Sequence, residues 1–157
     1  MRKLLVSALV AFGMLAISCL ADALVGSIES EFRGSLGRGT GYCLVLDWAS
    51  GTNGVVSVDT DPVRGEIGRV VIVPDAPGAT RPSNLYDMTI DDEDDVDVLA
   101  GQGADLATNA SQSVCGGELV NDGVTSNSIP FFVNGKLTVE ITNAGSEKGG
   151  IIRIYYR

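Results

Sequence analysis

The 157-residue chain contains no histidine. Histidine is the usual general base of enzymes and the commonest ligand of protein-bound zinc and iron. Its absence excludes a Ser-His-Asp or Cys-His catalytic site within the chain. Three cysteines are also too few for a four-cysteine zinc site. We therefore expect a protein that is not an enzyme and carries no cofactor.

Basic residues are scarce as well, since 11 lysines and arginines face 20 acidic residues, for a net charge of −9. An acidic surface repels phosphate groups, so the chain is not expected to bind nucleic acid. Aromatic residues make up 6% of the chain, whereas hydrophobic residues reach 45% and there are 20 glycines. This composition excludes a disordered chain and favours a β-rich protein with many turns.

The N-terminus resembles a secretory signal. Two basic residues precede the uncharged apolar run Leu4–Leu20, and a small-x-small cleavage site ends at Ala23. The sequence therefore predicts a signal-like helix over residues 1–23. Because the run is short for a membrane span, membrane contact is expected only during export. Two alternatives remain open: acylation of Cys19, and retention of the segment as an anchor or packed helix.

Cleavage near Ala23 would leave two cysteines, Cys43 and Cys115. In an oxidising compartment an even pair can form a disulfide. The alternative is two unpaired thiols, because Cys43 lies in an apolar run and Cys115 in a predicted loop.

Residues 24–41 are polar, rich in glycine and weakly patterned, and they predict an N-terminal arm or linker. A short helix over Leu24–Phe32 is an alternative, because apolar residues recur there at a spacing of four. From Tyr42 onward the pattern changes to strands, which places a single β domain at residues 42–157.

Alternation of apolar and polar residues predicts about eight strands in this domain. It places Leu44, Leu46 and Trp48 on one face of the first, and Tyr86, Met88 and Ile90 on the inward face of a later one. Asn53-Gly54 and Asn134-Gly135 are expected to form hairpin turns, and Ala104–Ser128 a long irregular loop. The fold class is therefore all-β, an antiparallel β-sandwich of the jelly-roll or immunoglobulin-like type. The predicted strands lie in Tyr42–Trp48, Val55–Thr60, Gly65–Pro74, Leu85–Asp91, Val96–Gly103, Ile129–Val133, Lys136–Thr142 and Ile151–Arg157.

The segment Thr89–Asp105 contains seven acidic residues. It is not an EF-hand loop, because Val96 and Gln102 occupy the positions of the obligatory glycine and glutamate. The favoured interpretation is the tip of a β-hairpin, where aspartate bonds nearby backbone amides. A weak calcium site and a hydrolase with paired carboxylates are the alternatives. The candidate calcium ligands are Asp92, Asp94 and Asp95.

The last predicted strand has apolar or aromatic residues on both faces. Ile152 and Ile154 fill the core on one face, whereas Ile151 and Tyr155 on the other need cover, because exposed apolar strands invite pairing. A second subunit or another protein is the favoured cover, and the loop Ala104–Ser128 is the alternative. Ile151 and Tyr155 are therefore the candidate interface residues.

From Trp48 onward, segments such as "YDMTIDDEDDVDVLAGQGADL" and "VNGKLTVEITNAGSEKGGIIRIYYR" resemble small β-sandwich structural proteins of tailed-bacteriophage virions. The resemblance implies a capsid-decorating or tail-associated protein that assembles in many copies with itself or with other virion proteins. It carries no catalytic residues and implies localisation in the virion. The signal-like N-terminus supports the alternative, an exported β-sandwich binding protein that is secreted or periplasmic after cleavage near Ala23.

Overall fold

A computed structural model describes residues 26–35, 41–114, 118–121, 126–129 and 131–157. These residues form eleven strands and no helix, which confirms the all-β class. None of them forms a helix that could cross a membrane. The signal-like segment 1–23 lies outside the described residues. The strands are β1 (Ser27–Ser35), β2 (Tyr42–Ala49), β3 (Val56–Asp59), β4 (Val63–Pro74), β5 (Asp87–Asp91), β6 (Gln112–Val114), β7 (Glu118–Asn121), β8 (Ser126–Ile129), β9 (Phe131–Gly135), β10 (Thr138–Thr142) and β11 (Gly149–Tyr156).

The strands form two main antiparallel sheets. The six-stranded sheet has the order β1-β2-β11-β4-β6, and β9 pairs with the other half of β4. The three-stranded sheet has the order β3-β10-β5, and β7 pairs with β8 in a separate ribbon. Both main sheets contribute side chains to one hydrophobic core, an arrangement consistent with a β-sandwich.

Strict alternation of side chains explains which residues fill this core. In the six-stranded sheet, Leu44, Leu46 and Trp48 of β2 are buried as predicted. In the three-stranded sheet, Met88 and Ile90 of β5 are buried as predicted. Each fully buried side chain of this size contributes roughly 1.5–3 kcal/mol through the hydrophobic effect.

The N-terminal arm prediction is wrong for Ser27–Ser35, which forms β1 and pairs with β2 along its length. The helix considered over Leu24–Phe32 is wrong for the same reason. Backbone groups along the side of β2 require hydrogen-bond partners, and β1 supplies them whatever its side chains are. A polar, weakly patterned segment can therefore serve as an edge strand. Residues 24, 25 and 36–40 lie outside the described residues.

The two Asn-Gly pairs do not form the predicted hairpins. Gly54 has a φ of 78°, and its N–H donates to the Gly51 carbonyl, so a turn is present. However, β3 pairs with β10 of the other sheet instead of returning along β2. Asn134 and Gly135 lie within β9, opposite Arg64 and Val63 of β4. At both places the chain passes from one sheet to the other, because the turn reverses the chain without fixing the strand that follows it.

The predicted loop Ala104–Ser128 contains β6 and β7 and most of β8. β6 pairs with β4, and Gln112, Ser113 and Val114 lie opposite Ile72, Val71 and Val70. As with β1, the hydrogen bonds at the edge of the sheet stabilise β6, although its sequence has no long apolar pattern.

Candidate interaction surface

The acidic stretch forms a turn. The N–H of Asp92 donates to the Val96 carbonyl at 3.1 Å, and the N–H of Asp95 donates to the Asp92 carbonyl at 3.1 Å. The Asp92 carboxylate accepts the N–H groups of Asp94 and Val96 at 2.9 and 3.0 Å. Asp95 has a φ of 59°, a conformation that aspartate tolerates better than most residues. The prediction of a turn over Asp92–Asp95 is confirmed.

The strand predicted from Val96 is wrong, because Asp97 replaces a neighbouring strand as the acceptor of backbone hydrogen bonds. Its carboxylate accepts the N–H groups of Ile90, Leu99 and Gly101 at 3.2, 3.0 and 2.8 Å. Val98 and Leu99 are fully buried beneath this turn. The half-buried Asp97 therefore shapes the segment as a compact loop with a single bridge, between Asp91 and Asp97.

Two acidic side chains of the turn, those of Asp92 and Glu93, accept hydrogen bonds from backbone N–H groups. Glu93 accepts the N–H of Lys136 at 3.2 Å and lies against Gly135, where a Cβ atom would come within 2.3 Å of the Glu93 carboxyl carbon. The part of the chain that the structure describes contains no group of three or more acidic or cysteine side chains arranged to hold a metal ion. The candidate ligands Asp92, Asp94 and Asp95 are thus placed on a turn whose shape Asp92 maintains.

The ionised form of one nearby acidic residue, Asp91, is electrostatically disfavoured. Burial raises the pKa of the Asp91 carboxyl, and the negative charges of Asp97, Glu140 and Asp95 raise it further. A hydrogen bond from Thr89 opposes this shift only in part. A raised pKa means that ionisation of Asp91 is less favourable in the folded protein than in the unfolded chain.

We expect Asp91→Asn to stabilise the protein at pH 7. The folded state loses stability as the pH rises from the ordinary value of 3.8 through the raised pKa of Asp91, and asparagine cannot ionise. Relief of repulsion at a partly exposed site is worth a few tenths of a kcal/mol to about 1 kcal/mol. Urea denaturation should show this gain at pH 7 and no gain near pH 3. A gain of the same size at both pH values, or a loss at pH 7, would contradict the assignment.

Cys43 carries a free thiol. It lies opposite Tyr155 on β11, and burial raises the pKa of the thiol, although the Tyr155 side chain and Arg153 partly offset this. Cys115 lies outside the described residues. The predicted Cys43–Cys115 disulfide therefore falls outside the described residues.

The six-stranded sheet turns a second face away from the core, which we call the outer face. Ile152 and Ile154 of β11 point into the core, so Ile151 and Tyr155 lie on the outer face, as predicted. Both are only half-buried in the single chain. The outer face includes Cys43, Val45, Asp47, Arg64, Glu66, Arg69, Val71, Val73, Phe132, Ile151, Arg153 and Tyr155.

Tyr155 lies at the centre of a set of contacts on this face. The Arg69 guanidinium stacks over the Tyr155 ring, 5.9 Å from its centroid, and Arg69 Nε donates to Ser113 Oγ at 2.8 Å. Beside them is a hollow of about 350 Å³, lined in part by Tyr155 and Arg69. The Glu66–Arg157 ion pair, at 3.1 Å, borders it. An aromatic ring, an arginine and an adjoining hollow are typical of the residues that anchor protein interfaces.

Sequence reasoning missed Phe132, which is 70% exposed. It lies on β9 opposite Glu66, between the inward-facing Phe131 and Val133. The alternation of "FFV" is the signal that could have identified it, since one phenylalanine of an adjacent pair must face away from the core. Phe132 extends the apolar part of the outer face beyond Ile151 and Tyr155.

Comparisons with protein-family models, with curated proteins and with solved structures found no match to this chain. The functional conclusion therefore depends on the surfaces themselves. A turn shaped by the hydrogen bonds of Asp92 and Glu93 is suited to structure. A partly exposed face of valine, isoleucine, phenylalanine, tyrosine and arginine is suited to binding another protein.

Proposed function

We propose that the protein is a non-enzymatic structural protein that assembles through the outer face of its six-stranded sheet. The observation that carries this proposal is the exposure of Phe132 together with the half-buried Ile151 and Tyr155 on one face. Apolar side chains grouped on one sheet face mark a binding surface more reliably than the same residues scattered over the protein. Arg69 and Arg153 add a residue type that is enriched at interfaces.

The setting proposed for this assembly is the virion of a tailed bacteriophage, where the protein would decorate the capsid or accompany the tail. The resemblance in strand and turn pattern supports this setting. The fold proposed with it is a β-sandwich of the jelly-roll or immunoglobulin-like type. Successive strands repeatedly change sheets, for example from β2 to β3 and from β9 to β10, as in Greek-key sandwiches.

A second candidate is an exported binding protein of the periplasm or cell surface, which the signal-like residues 1–23 favour. The mass of the native protein separates the two settings. We expect an intact N-terminus in a chain purified from virions, whereas a chain that begins at Leu24 in a periplasmic extract would support export.

We expect the double substitution Ile151→Ser and Tyr155→Ser to abolish self-association or particle binding while the chain still folds. Removing both side chains deletes the centre of the apolar surface and the partner of Arg69. Truncation of central interface residues weakens binding by roughly 2 kcal/mol or more, which is about thirtyfold. Analytical ultracentrifugation and co-sedimentation with particles measure the two forms of binding, and circular dichroism checks the fold.

Leu85→Ser provides a matched control, because Leu85 is 54% exposed and precedes β5 in the other sheet. This variant should bind as the wild type does. Equal loss of binding in both variants would show a general effect of exposed apolar area. A strictly monomeric wild type that binds no particle would contradict the proposed function.

A further inference from the structure

The two main sheets present outer faces of opposite character. The outer face of the six-stranded sheet combines apolar residues with Arg64, Arg69 and Arg153. Its acidic members are Asp47 and Glu66, and Glu66 is paired with Arg157. The outer face of the three-stranded sheet, which we call the acidic face, has four acidic side chains among serine and threonine. The acidic face consists of Ser57, Asp59, Asp87, Thr89, Asp91, Thr138, Glu140 and Thr142.

The middle strand of each sheet carries one charge at its centre. Glu140 lies on β10, between Ser57 of β3 and Thr89 of β5. Arg153 lies on β11, between Val45 of β2 and Val71 of β4. Within the described residues neither Glu140 nor Arg153 forms a salt bridge, although Ser57 donates a hydrogen bond to Glu140 at 3.4 Å. Each face therefore presents a central charge to an approaching molecule.

We propose that copies of this chain stack face to back, with the outer face of one copy docked on the acidic face of the next. This inference rests on the proposed function and specifies the partner as a second copy. Charge complementarity selects this arrangement. Contact between two outer faces would bring Arg153 towards its own counterpart, whereas stacking places it near Glu140. The chain as a whole carries a charge of −9, so a second copy is an acidic partner. The outer face, with Arg69 and Arg153, is the surface suited to bind it.

The chemistry of the acidic face agrees with this arrangement. Ionised Asp91 is disfavoured by burial and by the neighbouring Asp97 and Glu140, and an arginine brought close would relieve that repulsion. On the other side of the face, Asp87 already has partners, because it accepts the N–H of Asp105 at 2.9 Å and the Asn143 amide at 2.8 Å. Unrelieved repulsion thus lies on the Asp91–Glu140 side of the acidic face.

Stacking of two different faces is a heterologous contact, which produces a ring or an open filament instead of a closed dimer. The three-stranded face is small, with three strands about 4.8 Å apart and four or five residues long. A contact of this size is below the standard interface class, so each contact is expected to be weak and sensitive to salt. Many copies at high local concentration would make the stack stable.

The test is a pair of charge reversals, Arg153→Glu and Glu140→Arg, studied by sedimentation velocity at low ionic strength. Each single variant should associate at least tenfold more weakly than the wild type, because like charges then meet at the contact. An equimolar mixture of the two variants should recover association, since each damaged face meets the complementary one. The chain that carries both reversals should also associate with itself. Asp94→Arg, which makes the same charge change at the tip of the acidic turn, should associate as the wild type does.

The outcomes separate this inference from the proposed function. Association that is lost in Arg153→Glu but unchanged in Glu140→Arg would overturn face-to-back stacking and leave an interface between outer faces. Failure of the mixture and of the double variant to recover association would also overturn it. A wild type that stays monomeric and binds no particle would overturn the proposed function together with this inference. Recovery in the mixture and in the double variant would establish the stacking.

Discussion

Ile154→Ala is expected to lower the free energy of unfolding by about 3–4 kcal/mol, whereas Ile151→Ala should lower it by about 1 kcal/mol. Ile154 is fully buried in the core between Leu44 and Val70, so its loss removes transfer free energy and leaves a cavity. Ile151 is half-buried on the outer face, where solvent fills the space that the side chain leaves. Urea denaturation followed by the fluorescence of Trp48, the single tryptophan, measures both changes.

These two isoleucines form a matched pair on one strand, three residues apart and on opposite faces. Equal costs for the two substitutions would mean that Ile151 is covered within its own chain. The Ala104–Ser128 segment, part of which lies outside the described residues, would then be the cover. That result would remove the main support for assembly through the outer face.

Asp97→Ala is expected to destabilise the protein by about 2–4 kcal/mol. The substitution leaves the N–H groups of Ile90, Leu99 and Gly101 without their acceptor, and the first two lie beside the core. Each buried N–H group that loses its partner costs about 1–3 kcal/mol, reduced where water can reach it. Asp97→Asn keeps one acceptor oxygen and should have an intermediate cost. Chemical denaturation at constant pH gives these differences.

Asp94→Ala is the control for this prediction, because Asp94 is an exposed member of the same acidic stretch. Its loss should change the free energy of unfolding by less than about 0.5 kcal/mol. If Asp94→Ala were as costly as Asp97→Ala, the cost would not come from the hydrogen bonds of Asp97. Stabilisation of the wild type by calcium, absent in Asp94→Ala, would instead support the calcium alternative.

Side-chain alternation was sufficient to predict the inward-facing residues of individual strands. Leu44, Leu46 and Trp48 on β2 are all buried, and so are Met88 and Ile90 on β5. Alternation depends on the local geometry of a strand, and that geometry is the same in any sheet. The class of fold and the inward-facing residues therefore follow from the sequence.

Strand partners could not be predicted in the same way. Asn53-Gly54 forms its turn, but the strand after it pairs with β10, which lies far along the chain. Ser27–Ser35 is a strand because its backbone pairs with the edge of β2. Both features depend on contacts between distant segments, and a local pattern contains no information about them.

Only part of the candidate surface could be predicted, because the rest depends on strand partners. Ile151 and Tyr155 were identified from their strand alone, because both faces of that strand are apolar. Arg69 and Phe132 join them through pairing of β4 with β11 and with β9. The contrast between the outer face and the acidic face likewise requires the assignment of each strand to its sheet.

The central claim, assembly through the outer face, is tested most directly by sedimentation velocity of the wild type and of Phe132→Ser over a range of concentrations. Phe132 is 70% exposed, so its replacement should leave the fold intact. We predict that the weight-average sedimentation coefficient of the wild type rises with concentration and that the rise is reduced or lost in Phe132→Ser. A wild type that sediments as a monomer at every concentration and does not co-sediment with particles would contradict the claim.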